Sequence, residues 1–306
     1  MHIAFLFPKI NLREKGVVSV YFLLSMSVAF AALNSITLNK AKLVGRNAVY
    51  RYNLIASAVW CVCLFIACKG QLPDDISTWI WGGVYGITQA LFIFFKTEAM
   101  NSGSVSVTTL IGNCSLLISI VVCFILWREP ISVADGIGVL LLLSGVLLIT
   151  NKTSDGKFSR KWLIYALFFL ILGAAVGIIF KAFGKISSSD AGSMMLAASV
   201  VMLLFYFIFF IATRENSVPK SERGSTEDKR FVLLALISGL FSCVYNRLNI
   251  YLAGNIDAVI FFPAFNGGVI ILSALLSVML LREKLSMKQI FGLLSGAVGI
   301  CIIGIL

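Results

Sequence analysis

The sequence has 306 residues, of which 59% are hydrophobic and only 13% are charged, and its mean hydropathy is +0.97. This composition excludes a soluble globular domain, because the surface of such a domain could not be covered with polar groups. The formal charge of +11 does not indicate a nucleic-acid-binding protein, since the basic residues lie in short breaks between apolar runs rather than on one aromatic-rich face. We therefore expect an integral membrane protein surrounded by the lipid bilayer.

Apolar runs long enough to cross about 30 Å of hydrocarbon recur along the whole chain. Short charged stretches, or stretches rich in Gly, Pro and Asn, separate these runs. The longest hydrophilic stretch, Arg214 to Arg230, is predicted to be a loop. The runs predict ten transmembrane helices, at residues 17–38, 51–68, 77–95, 104–127, 132–150, 162–183, 191–212, 231–252, 257–281 and 288–306.

An internal repeat relates the two halves of the chain. A shift of 154 residues aligns Leu126–Ser132 (LWREPIS) with Leu280–Ser286 (LLREKLS), and the glycines after each segment also align: Gly138 with Gly292 and Gly145 with Gly299. Five helices per half is an odd number, so the second half must enter the membrane from the opposite side. The predicted fold is an all-α integral membrane domain of two inverted five-helix repeats, at residues 1–150 and 162–306. Inverted repeats are typical of secondary transporters.

The repeated segment also predicts local structure at the start of the fifth and tenth helices. Ser132 with Asp135, and Ser286 with Gln289, have the spacing of capping boxes, which satisfy the first backbone amides of a helix. The charged residues that precede these boxes are predicted to be turn charges at the membrane interface rather than binding residues; they are Arg128, Glu129, Arg282 and Glu283.

Together these features resemble the EamA-like branch of the drug/metabolite transporter superfamily. The resemblance rests on the doubled Arg-Glu-x-x-Ser segment with its following glycines, on Lys40 and Lys181 at the ends of the first helix of each half, and on Arg51 at the start of the second helix. It implies a ten-helix carrier, in the plasma membrane, for small solutes such as amino acids, other metabolites or drugs. It also favours an exporter over an importer.

Polar side chains inside the predicted spans are the candidate substrate-binding residues, because hydrocarbon penalises them unless they face protein or water. Lys40, Lys181 and Arg247 would bring three positive charges to a region where the sequence places no firm carboxylate, which predicts an anionic or zwitterionic substrate. Alternatively, the lysines snorkel to lipid headgroups and Arg247 pairs with Glu98 or Asp257. The predicted site comprises Lys40, Gln89, Asn113, Lys181, Arg247, Asn249 and Asn266.

The amides of this predicted site also have a purely structural interpretation, as hydrogen bonds between helices. Asn113 follows Gly112, and Asn266 lies beside Pro263 and Gly267 at nearly the corresponding place in the second half. These interruptions could open a helix backbone toward a cavity. Equally, the glycines could only allow close helix packing.

Other function classes are less well supported by the residues. A multidrug exporter of the same superfamily would need a carboxylate within a span, and only Glu98 and Asp257 could be one, if the helix ends lie further out than predicted. A channel would need rings of like residues. An enzyme would need paired carboxylates or a nucleophile with a base. His2 is the single histidine and the cysteines lie in apolar runs, so we predict neither a metal site, a cofactor nor a disulfide.

The orientation in the membrane has two conflicting indications. Of the 25 Lys and Arg residues, 17 lie on the side opposite to the predicted termini and 8 on the side of the termini. The positive-inside rule therefore places both termini outside, whereas the family resemblance implies that they are inside. The sequence leaves open the orientation, the substrate, the coupling ion and the oligomeric state.

Overall fold

A computed structural model describes residues 17–41, 43, 46–102, 108, 111–129, 131–150, 159–187, 190–213, 225–281 and 286–305. These residues contain helices and connections between helices, and no strand. Their helices are α1 (Val17–Ala41), α2 (Arg46–Ala67), α3 (Ile76–Ser102), α4 (Ser115–Trp127), α5 (Val133–Thr150), α6 (Arg160–Ile186), α7 (Ala191–Thr213), α8 (Ser225–Asn255), α9 (Ala258–Leu281) and α10 (Met287–Ile305).

The helices have the length and composition of membrane spans. Within the described residues, α1, α2, α3, α6, α7, α8 and α9 are long and apolar enough to cross a membrane. The remaining helices, α4, α5 and α10, are apolar but shorter. The chain is therefore a multi-pass membrane protein, and a helix lies at each of the ten places that the sequence predicts.

Several helices extend beyond the predicted apolar runs. α3 ends at Ser102 rather than at residue 95, so that Lys96 and Glu98 lie inside it, and α2 begins at Arg46, which places Arg51 in its second turn. The first six residues of α8 belong to the predicted loop, whereas residues 214–224 lie outside the described part of the chain. These helices are longer than predicted because hydropathy detects only the part of a helix that crosses the hydrocarbon. A helix can continue with charged residues beyond that part.

The fourth predicted helix is interrupted and the ninth is not. α4 begins at Ser115, after a turn at Cys114 in which the Cys114 amide donates to the Ile111 carbonyl at 3.1 Å. This bond spans three residues instead of four, so the α-helical ladder is broken just after Gly112 and Asn113. α9, in contrast, continues through Pro263. The described residues thus show a helix break in the first half and a continuous α9 in the second, and residues 103–107, 109 and 110 lie outside the described part.

Both predicted capping boxes are confirmed. The Ser132 amide donates to Asp135 Oδ2 at 2.8 Å, and the Asp135 amide donates to Ser132 Oγ at 3.1 Å. At the start of α10, the Ser286 amide donates to Gln289 Oε1 at 2.9 Å and the Gln289 amide to Ser286 Oγ at 3.3 Å. The repeated motif therefore forms the same local structure twice, and it satisfies backbone donors that the helix itself cannot satisfy.

The chain divides into two compact units. Unit one comprises Met1–Ile87 and Ser187–Leu252, and unit two comprises Thr88–Ile186 and Ala253–Leu306. In unit one, α2 packs along α7. In unit two, α5 packs along α10, α4 packs on α6, and α9 contacts α4, α5 and α10.

Glycine allows the close packing of α5 on α10 in unit two. A Cβ atom on Gly145 would lie 2.5 Å from the Gly292 carbonyl oxygen, and one on Gly138 would lie 2.8 Å from the Gly299 carbonyl oxygen. Because Gly138 meets Gly299 and Gly145 meets Gly292, the two helices run in opposite directions. Close backbone approach through small residues is a common way for helices to associate in a membrane, where the hydrophobic effect provides no attraction between them.

We expect Gly145→Ala to destabilise the protein by about 1–3 kcal/mol, because its methyl group would meet backbone atoms that cannot move aside. Gly136→Ala is the matched control in the same helix, since a Cβ atom there meets nothing within 4 Å. The control is expected to be neutral or slightly stabilising, because Ala favours helix over Gly. Thermal unfolding of the purified variants in detergent measures both effects, and equal midpoints for the two variants would contradict the packing described.

Candidate functional site

Unit one contains a stripe of buried, uncharged polar side chains on two helices. On α8 these residues recur every three or four positions and so lie on one face. On α1 they are seven and three residues apart, which also keeps them on one side. We call this set the polar stripe; it comprises Ser27, Asn34 and Thr37 on α1 and Ser238, Ser242, Asn246 and Asn249 on α8.

Hydrogen bonds join the polar stripe across the helices. Ser27 Oγ donates to Asn249 Oδ1 at 2.6 Å, and Ser238 Oγ donates to Asn34 Oδ1 at 2.5 Å. From α3, the Tyr85 hydroxyl donates to Asn246 Oδ1 at 3.2 Å. A buried polar group without a hydrogen-bond partner is unfavourable, and these bonds provide such partners. Each side-chain amide can form more than one hydrogen bond, so it could also bind a polar ligand.

Arg247, the strongest candidate from the sequence, lies beside a carboxylate. Its guanidinium carbon is 3.3 Å from the position of a Cβ atom on Gly192, and Asp190 Oδ2 is 2.6 Å from the same position. Asp190 also accepts a hydrogen bond from the Ser193 amide at 3.1 Å, as the cap of α7. The expectation that Arg247 has no nearby carboxylate is therefore wrong, and Arg247 and Asp190 present both charge signs in unit one.

The Tyr206 hydroxyl on α7 is a polar group of unit one that the sequence did not indicate. Its side chain is 1% exposed, and the hydroxyl has no hydrogen-bond partner among the described residues. A buried hydroxyl without a partner costs about 1–3 kcal/mol. Such a group is either a packing compromise or a donor for a molecule that binds nearby.

In unit two, Lys181 forms an ion pair with Glu129. The Lys181 side chain is fully buried, and its Nζ lies 2.6 Å from Glu129 Oε1. One sequence expectation is thereby corrected. Lys181 has a buried carboxylate partner, and Glu129, which lies in a turn as predicted, is buried in an ion pair. The sequence missed the pair because 52 positions separate the two residues and neither lies in the middle of an apolar run. Arg282 and Glu283 lie outside the described part of the chain.

The other predicted site residues of unit two have varied environments. Asn266 Nδ2 donates to the Phe262 carbonyl of its own helix at 2.9 Å, which is a purely local bond. Asn113 Nδ2 is buried without a hydrogen-bond partner in the described part, directly before the break at Cys114. Gln89 is half-buried in α3.

The predicted site residues are thus distributed over both units. Lys40, Arg247 and Asn249 belong to unit one, and Lys40 is exposed in the last turn of α1. Gln89, Asn113, Lys181 and Asn266 belong to unit two. Only Asn249 joins the polar stripe. The proposed source of an anion preference, three cations without a carboxylate, therefore fails for Lys181 and for Arg247.

A regular spacing could have indicated the polar stripe from the sequence. Positions 238, 242, 246 and 249 are separated by four, four and three residues, which is the period of one helix face. Ser238 and Ser242 were overlooked because serine alone is a weak signal in a membrane helix. Asn34 was overlooked because it lies near the predicted end of the first helix, whereas α1 continues to Ala41.

The described residues offer no group of three His, Cys, Asp or Glu side chains that could hold a metal ion. All seven cysteines have free thiols. The described polar groups can therefore hold a solute by hydrogen bonds and by the charges of Arg247 and Asp190.

Comparisons with known proteins agree with this architecture. Residues 18–151 match the EamA-like transporter family. A solved structure titled only "Crystal structure of protein" has the same fold, with a TM-score of 0.71 and 14% sequence identity, over 94% of this chain and 96% of that chain. No curated protein matches the sequence significantly.

We expect Tyr206→Phe to raise the free energy of unfolding by about 1–3 kcal/mol, because it removes a buried hydroxyl without a partner. Tyr85→Phe is the matched control, and it should lower stability by about 1 kcal/mol because it removes the bond to Asn246. Thermal unfolding in detergent, without added solute, measures both changes. A lower stability for Tyr206→Phe would contradict the assignment of its hydroxyl as unsatisfied.

Proposed function

We propose that the chain is a secondary transporter of a small amino-acid-like metabolite, because residues 18–151 match the EamA-like transporter family. It works by alternating access in the plasma membrane, and it exports rather than imports. The family match supports the membrane-transporter class, and the substrate, the direction and the mechanism are argued below from the described residues.

The proposed mechanism requires two inverted five-helix repeats, residues 1–150 and 162–306. The packing of α5 on α10 supports this arrangement. The two close contacts, Gly138 with Gly299 and Gly145 with Gly292, exchange when each residue is replaced by its counterpart 154 positions away. Contacts that exchange in this way are expected of two copies related by a two-fold axis. Such copies can rock against each other to expose a site alternately on the two sides.

A zwitterionic substrate fits the described groups of unit one better than an anion does. The polar stripe is buried and uncharged, and it offers hydroxyl and amide groups. Arg247 lies next to this stripe in sequence on α8, and Asp190 is beside its guanidinium. An α-amino acid carries one carboxylate and one ammonium group, so Arg247 can bind the first and Asp190 the second. A simple anion would meet the Asp190 carboxylate unfavourably.

We expect Arg247→Gln to lower the exchange of labelled neutral amino acids in proteoliposomes at least tenfold, because the substrate carboxylate loses its bidentate partner. Arg230→Gln is the matched control, since Arg230 is an exposed arginine of the same helix. The control should transport as the wild type does. Equal reconstitution of the variants is checked by the amount of protein recovered in the vesicles.

A solute panel tests the substrate class in the same vesicles. Neutral amino acids should exchange faster than dicarboxylates and faster than quaternary ammonium compounds. Preference for the quaternary ammonium compounds would indicate a multidrug exporter instead. Ohmic current without saturation would indicate a channel, and chemical conversion of a solute an enzyme.

A further inference from the structure

Glu129 and Lys181 form a buried ion pair in unit two that the proposed site does not use. Glu129 lies in the turn between α4 and α5 and is 6% exposed, and Lys181 lies near the end of α6 and is fully buried. Lys185, one turn further along α6, is 3.8 Å from the same carboxylate oxygen and is 38% exposed. The buried Lys181 therefore makes the short contact with Glu129, and the partly exposed Lys185 lies further from the carboxylate.

Both partners also bind the backbone of the connection between α8 and α9. Glu129 Oε2 accepts a hydrogen bond from the Ala258 amide, the first of α9, at 2.7 Å. Lys181 Nζ donates to the Ile256 carbonyl at 2.5 Å. Backbone groups at helix ends have no partner within the helix, and a carboxylate is favoured at a helix start by the helix dipole. The ion pair thus fixes this connection to α6 and to the α4–α5 turn.

Glycines bring the same segments together beside the ion pair. A Cβ atom on Gly254, near the end of α8, would lie 2.8 Å from the Gly184 Cα atom on α6. The two backbones are therefore in direct contact one turn from Lys181. Three segments meet tightly at this end of unit two, and the charged pair lies buried where they meet.

We propose that Glu129 and Lys181, with the Ile256 carbonyl and the Ala258 amide, form a latch that closes this end of unit two and opens during the transport cycle. The proposal rests on the proposed transport function, because a carrier must break contacts at one end to admit water. A buried ion pair adds little stability compared with an apolar pair of the same size. It suits a latch, however, because the separated charges are strongly hydrated once water enters.

The reactivity of the protein's own cysteines can be used to measure opening of the latch, so that no cysteine has to be introduced. Cys123 is fully buried in the last half of α4, the helix that leads into the turn of Glu129. Cys243 is buried in α8, within unit one. Opening of the latch should expose Cys123 and leave Cys243 protected, whereas global unfolding exposes both.

The experiment measures alkylation of the full-length protein by N-ethylmaleimide, followed by peptide mass spectrometry. We expect Glu129→Gln to alkylate at Cys123 about tenfold faster than the wild type, with the rate at Cys243 unchanged. Lys185→Met is the matched control, and it should leave Cys123 protected because the short contact to Lys181 remains. Half-buried Cys68, in the turn after α2, checks that the reagent is active.

A charge reversal tests whether the backbone contacts matter. In Glu129→Lys/Lys181→Glu the attraction is preserved, but the ammonium faces the Ala258 amide and the carboxylate faces the Ile256 carbonyl. We expect Cys123 of this variant to remain as reactive as in Glu129→Gln. Protection restored to the wild-type rate would overturn the latch as described.

A second variant covers the case in which a single substitution prevents folding. Glu129→Met/Lys181→Met leaves no buried charge and is expected to fold. It still releases the Ile256 carbonyl and the Ala258 amide, so Cys123 should react faster than in the wild type while Cys243 does not. Wild-type protection of Cys123 in this variant, or equal acceleration at both cysteines, would overturn the proposal. Alkylation needs no substrate, so failure here is distinct from failure of the transport assay.

Discussion

The structure depends on one constraint, which is that hydrocarbon offers no hydrogen bonds. Every backbone amide and carbonyl must therefore find a partner within the protein, and helices achieve this for all residues except those at their ends. In this protein, side chains provide hydrogen-bond partners for backbone groups at the helix ends. Ser132 with Asp135 and Ser286 with Gln289 cap two helices, Asp190 caps a third, and Glu129 reaches the first amide of a fourth.

The same constraint determines how the helices meet. Lipid tails are as apolar as leucine, so helices associate through close packing and a few internal polar contacts. Unit two uses both means, because glycines of α5 and α10 bring backbones into contact and the ion pair of Glu129 with Lys181 joins α6 to the α4–α5 turn. Unit one combines both, because Gly82 and Gly239 allow close packing and the polar stripe joins α1 to α8.

The fold could be predicted from the sequence much further than the site could. Apolar runs and capping boxes are local patterns, and they predicted the helices of the described part of the chain and two of the helix caps. Helix ends were less accurate, as for α3, because hydropathy marks the hydrocarbon and not the last hydrogen bond. The ion pair of Glu129 with Lys181 was missed because nothing in the chain between them indicates that they meet. Single polar residues were easy to select, but their partners, such as Ser27 for Asn249, depend on tertiary packing.

The different exposure of Lys40 and Lys181 should make their amines react differently. Both residues lie toward the end of the first helix of their half of the sequence, yet the first is exposed and the second is fully buried. Acylation of an amine requires the reagent to reach it, and the Lys181 amine is fully buried beside Glu129. An activated ester should therefore modify Lys40 and spare Lys181. Two halves that share a sequence pattern would in this way carry different chemical labels.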